Sequence, residues 1–293
     1  MLWPKSLNKK IKTKVNLAGY TSFKIGGPAE YFLEPKNLKE LQLALSFARD
    51  TGLRVFILGA GSNILVSDSG LKGLVIKLSA NSFNWVYCQG GCVVVSSGLR
   101  LNQLISFAAN QGLGGLEFLA GIPGSLGGSL MGNAGAWGNS IGQLVEQLGV
   151  LDYNGKLKIL SSNQLKFGYR KSNLGKYIIL WVKLKLFRKN KKVIAARIKK
   201  YLLQRKEAQS NSAPNAGCIF KNPEQDSAGR LIDLCGLKGK TKGGAVISSR
   251  HANFILNKAK AKSRDILFLM DLIQGKVKER FKVNLEPEIK IWK

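Results

Sequence analysis

The chain has 293 residues, enough for about two domains at ~150 residues each and for a sizeable buried core. Lys and Arg number 46 against 17 Asp and Glu, so the formal charge of +29 points to anionic partners, while 45% hydrophobic and 9% aromatic residues exclude a disordered polycation. Four cysteines cannot frame a chain this long with disulfides, the one histidine (His251) excludes HExxH and His-rich metal sites, and no run reaches the ~18 apolar residues of a membrane span.

The N-terminal MLWPKSLNKKIKTK is basic but has no apolar run leading to a cleavage site, so it does not read as a signal peptide, and a cytoplasmic protein is expected. Asn37 opens NLKELQLALSFARDTG, where Asn37 and Glu40 suit a capping box and Leu38, Leu41, Leu45 and Ala48 recur at helical spacing. RVFILG (54–59) and GLVIKL (73–78) read as strands, WVYCQGGCVVVSSG (85–98) as a hairpin with Cys88 and Cys92 as cross-strand neighbours, and LNQLISFAANQG (101–112) as a helix. Ten glycines between Gly114 and Gly142 argue against regular helix there. Lys183 to Lys206 holds eleven basic residues and no acid, with an amphipathic helix expected over 193–209. Beyond it a helix ending at Gly236, strands in GGAVIS and ANFIL, a helix capped by Ser263 and a strand pair in VNLEPEIKIW complete the pattern, which is α/β or α+β.

Two stretches suit the close approach of backbone N–H groups to a pyrophosphate. In ILGAGSNIL, Gly59 and Gly61 follow a strand, but Ile64 replaces the third glycine of G-x-G-x-x-G and no acidic residue follows at ribose distance, so a Rossmann site fails and a plain glycine turn is the simpler reading of this loop alone. AGIPGSLGGSLMGNAGAWG is denser: Gly121, Gly124, Gly127 and Gly128 admit a ligand, Pro123 stiffens the turn and Asn133 supplies an amide. GKT at 239–241 imitates a P-loop, but Leu234 stands where the first glycine is needed. Cys218 in NAGCIFKNP, Arg170 in FGYRKS and Glu288 in LEPEIKIW are chemically suggestive, although each alone fits a packed thiol, a surface arginine or a solvated carboxylate.

Together, TSFKIGGPAEYF, ILGAGSNILVSDSGLKGLVI, GIPGSLGGSLMGNAGAWG, FGYRKS, AGCIFKNP, AGRLIDLCGLKG, SRHANFILN and LEPEI resemble, in order and over nearly the whole chain, the UDP-N-acetylenolpyruvoylglucosamine reductases. The resemblance implies an α+β fold of the vanillyl-alcohol-oxidase (PCMH) type, with FAD-binding subdomains over 1–75 and 76–190 (the PCMH-type region about 24–188) and a substrate-binding domain over 191–293. It implies non-covalent FAD held by Gly59, Ala60, Gly61, Ser62 and Asn63, by Gly121, Ile122, Pro123, Gly124 and Gly128, and by Asn133, Ala134 and Gly135. No metal is implied, and the chain is similar to the compact subtype without an inserted tyrosine loop.

The implied activity is NADPH-dependent reduction of UDP-N-acetylglucosamine enolpyruvate in peptidoglycan precursor synthesis, and a monomer with no nucleic-acid partner and no membrane span is expected. Arg170 and Glu288 would stabilise negative charge developing on the enolpyruvyl group, Glu288 only if protonated or hydrogen-bonded. Cys218 stands where the family usually has serine and would act as the general acid. Asn222, Lys238 and His251 are the implied contacts of the UDP moiety, and 209–217 departs from the family's proline-containing stretch. Two other readings compete: a related FAD oxidase acting on another substrate, and a basic nucleic-acid-binding protein, for which the lysine-rich stretches lack interleaved aromatics.

Overall fold

A computed structural model describes residues 3–79, 81–89, 91–209 and 213–293. Ser210, Asn211 and Ser212, within the 209–217 loop flagged above, and Gly90 of the hairpin turn lie outside them. The chain divides into two compact units that interleave in sequence. The first comprises Met1–Thr13, Tyr31–Ala60 and Gly73–Gln204, and the second Lys14–Glu30, Gly61–Lys72 and Arg205–Lys293.

In the first unit, a short helix α1 (Lys5–Asn8) precedes α2 (Leu38–Asp50), whose Leu41, Ala44, Leu45 and Ala48 are buried at the spacing the sequence shows. Asn37 caps α2 by accepting from the Glu40 N–H at 3.0 Å. The expected capping box is only half formed, because Glu40 accepts instead from the Lys36 N–H and from Lys10 Nζ. Val55–Leu58 then lies parallel to Leu74–Lys77. Leu41, Leu45, Leu74 and Ile76 share one core, with Trp3 and Leu7.

The rest of this unit is built on a five-stranded antiparallel sheet, in the order Leu157–Ser161, Val145–Asp152, Tyr177–Lys185, Cys92–Ser96, Val86–Gln89. Against it pack α3 (Leu101–Asn110) and α4 (Leu126–Met131), which share a second core with Val93, Leu148 and Val182. The six-residue helix α4 falls inside the glycine-rich stretch, where no regular helix was expected; buried Leu126 and Leu130 anchor it. The hairpin register places Cys88 opposite Val93 and Cys92 opposite Gln89, so the two thiols are not paired. Cys92 is buried and donates to Glu146 at 3.0 Å.

Helix α5 (Lys191–Gln209) is less amphipathic than its sequence suggests. Ile194 is buried and Ile198 and Tyr201 pack on the core, but Val193, Leu202 and Leu203 stand exposed among the lysines.

The second unit contains α6 (Ala228–Leu234), α7 (Ser263–Phe281), a small sheet of Thr241–Lys242, Ala245–Ile247 and Ile255–Asn257, and a parallel pair of Ile64–Val66 with Lys290–Trp292. Phe23, Leu65, Phe220, Ile266 and Ile273 lie in its core. Ser263 is the first residue of α7 rather than its cap. Its N–H and hydroxyl both donate to Asp68 Oδ2 at 2.8 Å, and Asp265 Oδ2 accepts from the Lys262 N–H at 2.9 Å, so the helix start is held largely by a distant carboxylate. The expected C-terminal strand pair is a single strand, Lys290–Trp292, whose partner is Ile64–Val66. Among the described residues no helix is long and apolar enough to cross a membrane, and no group of three His, Cys, Asp or Glu could hold a metal ion.

Candidate active site

The first glycine loop leaves the strand Val55–Leu58 and passes Gly59, Ala60, Gly61, Ser62 and Asn63. At Gly59 a Cβ would lie 2.5 Å from the Ser125 hydroxyl. At Gly61, left-handed at φ 67°, a Cβ would collide with the Tyr20 carbonyl, and the Gly61 carbonyl itself accepts from the Ser22 N–H at 3.0 Å. The turn of TSFKIGG is thus part of this loop's wall, with Thr21 Oγ1 bridging to the Ile25 carbonyl at 2.9 Å. Among the described residues, the N–H groups of Ala60, Gly61 and Ser62 donate to no protein acceptor.

The second loop leaves a 3₁₀ turn at Glu117–Leu119, passes Gly121 (φ 78°), Ile122, Pro123 and Gly124, and enters α4 at Ser125. Ser125 touches both loops, since a Cβ at Gly128 would lie 3.4 Å from the same hydroxyl that confronts Gly59. The motif GIPGSLGG displays this serine in plain view, but its importance depends on the meeting with Gly59, a contact over 66 positions that no local pattern signals. Gly127 lies on Ser97, whose carbonyl accepts the Gly127 N–H at 2.8 Å. The Ser97 hydroxyl is buried without a hydrogen-bond partner, as is the Ser22 hydroxyl beside the first loop. Unspent donors of this kind fit an FAD pyrophosphate, which offers acceptors only.

Past α4, three left-handed residues, Asn133 (φ 44°), Trp137 (φ 51°) and Arg170 (φ 53°), occur in the facing segments 132–142 and 167–172. Asn133 Nδ2 donates to the Gly168 carbonyl at 2.9 Å, its Oδ1 accepts from Gly142 N–H at 3.0 Å, and Arg170 Nη1 donates to the Gly135 carbonyl at 3.0 Å. Ala134 is fixed through its N–H to Ser129 and its carbonyl to Ile141. Non-glycine residues in this conformation each carry a steric cost, and such strain concentrates at functional positions. Arg170 stands at the tip of the hairpin formed by Phe167–Gly168 and Lys171–Ser172, with its guanidinium 5.3 Å from the Tyr169 ring centre.

In the second unit the segment 218–221 runs between two others. On one side Cys218 bridges to Phe254, and the buried Asn253 grips Phe220 twice, accepting from its N–H at 2.9 Å and donating to its carbonyl at 2.8 Å. On the other side Phe220 bridges to Pro287 and the Glu288 N–H donates to the Ile219 carbonyl at 2.8 Å. Cys218 and Glu288 therefore stand on adjacent extended segments. Asn63 meets the second of these segments, donating from Nδ2 to the Glu288 carbonyl at 3.2 Å.

Of the residues expected at the UDP moiety, Asn222 and His251 lie at the start of α6, whereas Lys238 lies past its end. Asn222 Oδ1 accepts from the Ala228 N–H at 3.1 Å, and His251 lies against Gly229, where a Cβ would be 3.2 Å from its ring. Burial, with the positive charge of Lys238 adding to it, holds the His251 pKa below its ordinary value, so the ring is neutral and can bond without ionising. Lys238 is paired with Asp233 at 2.6 Å, which fixes the ammonium near α6. No pattern among the candidate residues points to Asn253; its signal is its place in SRHANF, two residues after the histidine.

Comparison with known proteins identifies the family. Residues 29–161 match the FAD binding domain family, and residues 208–292 match the C-terminal domain of UDP-N-acetylenolpyruvoylglucosamine reductase. The reductase of Desulforamulus reducens is 40% identical over 274 residues, 93% of this chain and 90% of the relative. That of Clostridium novyi is 39% identical over 285 residues, covering 97% and 92%. The crystal structure of the Thermus caldophilus enzyme superimposes with a TM-score of 0.84 at 36% identity, over 97% of this chain and 99% of that one. An α+β chain whose glycine loops suit FAD, and whose length is matched almost end to end by these enzymes, belongs to the UDP-N-acetylenolpyruvoylglucosamine reductase family.

Proposed function

We propose that this protein reduces UDP-N-acetylglucosamine enolpyruvate to UDP-N-acetylmuramate with NADPH, as a cytoplasmic monomer supplying peptidoglycan precursor. The observation that carries the reading is the adjacency of Cys218 and Glu288, an acid-capable thiol and a carboxyl on neighbouring segments, beside Asn63 of the first glycine loop. FAD held at the glycine loops would supply the hydride-transfer chemistry that couples oxidation of NADPH to reduction at C3 of the enolpyruvyl group.

The loop N–H groups of residues 60–62 and the buried Ser97 hydroxyl would bind the FAD pyrophosphate by donating to its oxygens. Arg170 would face the substrate carboxylate, where a guanidinium can donate two parallel hydrogen bonds to the charge that grows as C3 is reduced. Glu288 would assist in its protonated form, donating to the same carboxylate; ionised, it would repel the developing anion. Cys218 would hold the proton that completes the reaction at C2, and a thiol releases a proton more readily than the serine usual in the family. Asn222, Lys238 and neutral His251 would bind the UDP portion, the lysine as a point charge against the diphosphate.

The test is turnover of the FAD-loaded protein with NADPH and the enolpyruvyl sugar nucleotide, followed by mass spectrometry. The reading requires one NADPH consumed per product formed, the product carrying one added hydride and one added proton. NADPH consumption without that product would contradict it.

A further inference from the structure

Asn133, which sequence resemblance would place against FAD, spends its side-chain amide on the protein itself. Its Nδ2 holds the Gly168 carbonyl at 2.9 Å, its Oδ1 holds the Gly142 N–H at 3.0 Å, and the residue is buried. Gly168 is the last residue of the first arm of the Arg170 hairpin, and it pairs directly with Lys171 across the turn. The hairpin is tied twice more, by Arg170 Nη1 to the Gly135 carbonyl in the 132–142 segment and by Ser172 Oγ to the carbonyl of Met131, the last residue of α4, at 2.9 Å. No room is left for slack. A Cβ at Gly142 would strike the Phe167 ring and lie 2.8 Å from Asn133 Oδ1, and one at Gly135 would strike the Asn139 carbonyl. Asn133 itself is left-handed, a conformation that asparagine tolerates better than most residues, which explains an amide at this position without any need for a ligand.

We propose that Asn133 is a positioning residue for Arg170: its amide locks the hairpin that carries the guanidinium to the 132–142 loop, and so sets where the guanidinium points during substrate reduction. The role rests on Arg170 meeting the substrate carboxylate, as the proposed function has it. An arginine acts on developing charge only if its direction is fixed before the charge appears, and a hydrogen bond from a buried amide to the hairpin backbone supplies that fixity.

The discriminating variant is Asn133→Asp in the FAD-loaded protein. It keeps the left-handed backbone and the acceptor for Gly142, but replaces the donor to Gly168 with a carboxylate oxygen that repels that carbonyl. Hydrogen exchange is expected to quicken by about tenfold over 168–172 while the Gly142 amide stays protected, because only one of the two bonds is lost. Reduction of the sugar nucleotide is expected to slow about tenfold more than reduction of the flavin by NADPH. The double variant Asn133→Asp, Arg170→Ala should be no slower than Arg170→Ala alone. If the aspartate variant loses FAD, Asn133→Gly, which also accepts the left-handed backbone but gives up both bonds, should quicken exchange at Gly142 as well as over 168–172 and slow sugar-nucleotide reduction more than flavin reduction. Unchanged exchange over 168–172, or an effect that multiplies with that of Arg170→Ala, would overturn the proposal. A wild-type protein inert toward the sugar nucleotide would sink the functional reading, while the exchange result would still decide whether Asn133 holds the hairpin.

Discussion

Asn63 ties the first glycine loop to Glu288 and, two residues on, to Lys290. Its side-chain Nδ2 donates to the Glu288 carbonyl at 3.2 Å, and its own carbonyl accepts from the Lys290 N–H at 3.0 Å. The first glycine loop is therefore bonded directly to the strand end that carries the carboxyl. Asn63→Ala keeps the backbone bond and loses the side-chain one, and is expected to lower kcat for sugar-nucleotide reduction by about 2- to 10-fold, as loss of one exposed hydrogen bond implies. Single-turnover kinetics check this; an unchanged rate would separate Asn63 from Glu288.

Cys218 is expected to carry the final proton. Cys218→Ala should keep reduction of the flavin by NADPH and lose reduction of the sugar nucleotide by at least ~100-fold, the scale of a general acid. Cys218→Ser should remain active. A serine hydroxyl can also donate a proton, so this variant keeps a general acid at the position. Rates of the two half-reactions in both variants decide this, and an active alanine variant would remove Cys218 from the mechanism.

Gly61 cannot accept a side chain without a backbone shift, because φ is 67° and the obstacle is the Tyr20 carbonyl rather than a flexible group. Gly61→Ala should cost about 1–3 kcal/mol and release FAD. Thermal unfolding and flavin absorbance after gel filtration measure the two effects. At Gly59 the obstacle is only the Ser125 hydroxyl, so Gly59→Ala should be rescued in part by Ser125→Gly.

Much of this was legible in the chain because local physics set it. The α2 helix follows from Asn37 and the spacing of Leu41, Leu45 and Ala48, whereas Asn222, Lys238 and His251 were singled out by the family resemblance and not by local pattern. What local pattern could not show is pairing over distance. Ile64–Val66 beside Lys290–Trp292, Lys14–Glu30 packed with the C-terminal segments, and Asp68 holding the start of α7 are choices made by burial and register. The capping box at α2 failed for the same reason, since Lys10 and Lys36 compete for the Glu40 carboxylate. Helix α4 formed in glycine-rich sequence because two buried leucines outweigh the poor propensity of Gly127 and Gly128.

His251 makes the fold pH-dependent on the acid side. Its folded pKa lies below the ordinary ~6.5, first through burial and then through the Lys238 charge, so the unfolded chain takes up the proton more readily than the folded one. The stability this group contributes is present above ~6.5 and is lost as pH falls toward the folded value. His251→Gln should flatten the fall in Tm between about pH 7 and pH 5, and weaken the binding of UDP at neutral pH. A Tm profile parallel to wild type would show that His251 is not the titrating group.

The central claim is that one flavin serves two half-reactions on this chain. The FAD-loaded protein should lose its oxidised-flavin absorbance on anaerobic addition of NADPH and regain it on addition of UDP-N-acetylglucosamine enolpyruvate, with UDP-N-acetylmuramate formed in equal amount. Bleaching that the sugar nucleotide fails to reverse, and that only air restores, would contradict the account and favour an oxidase.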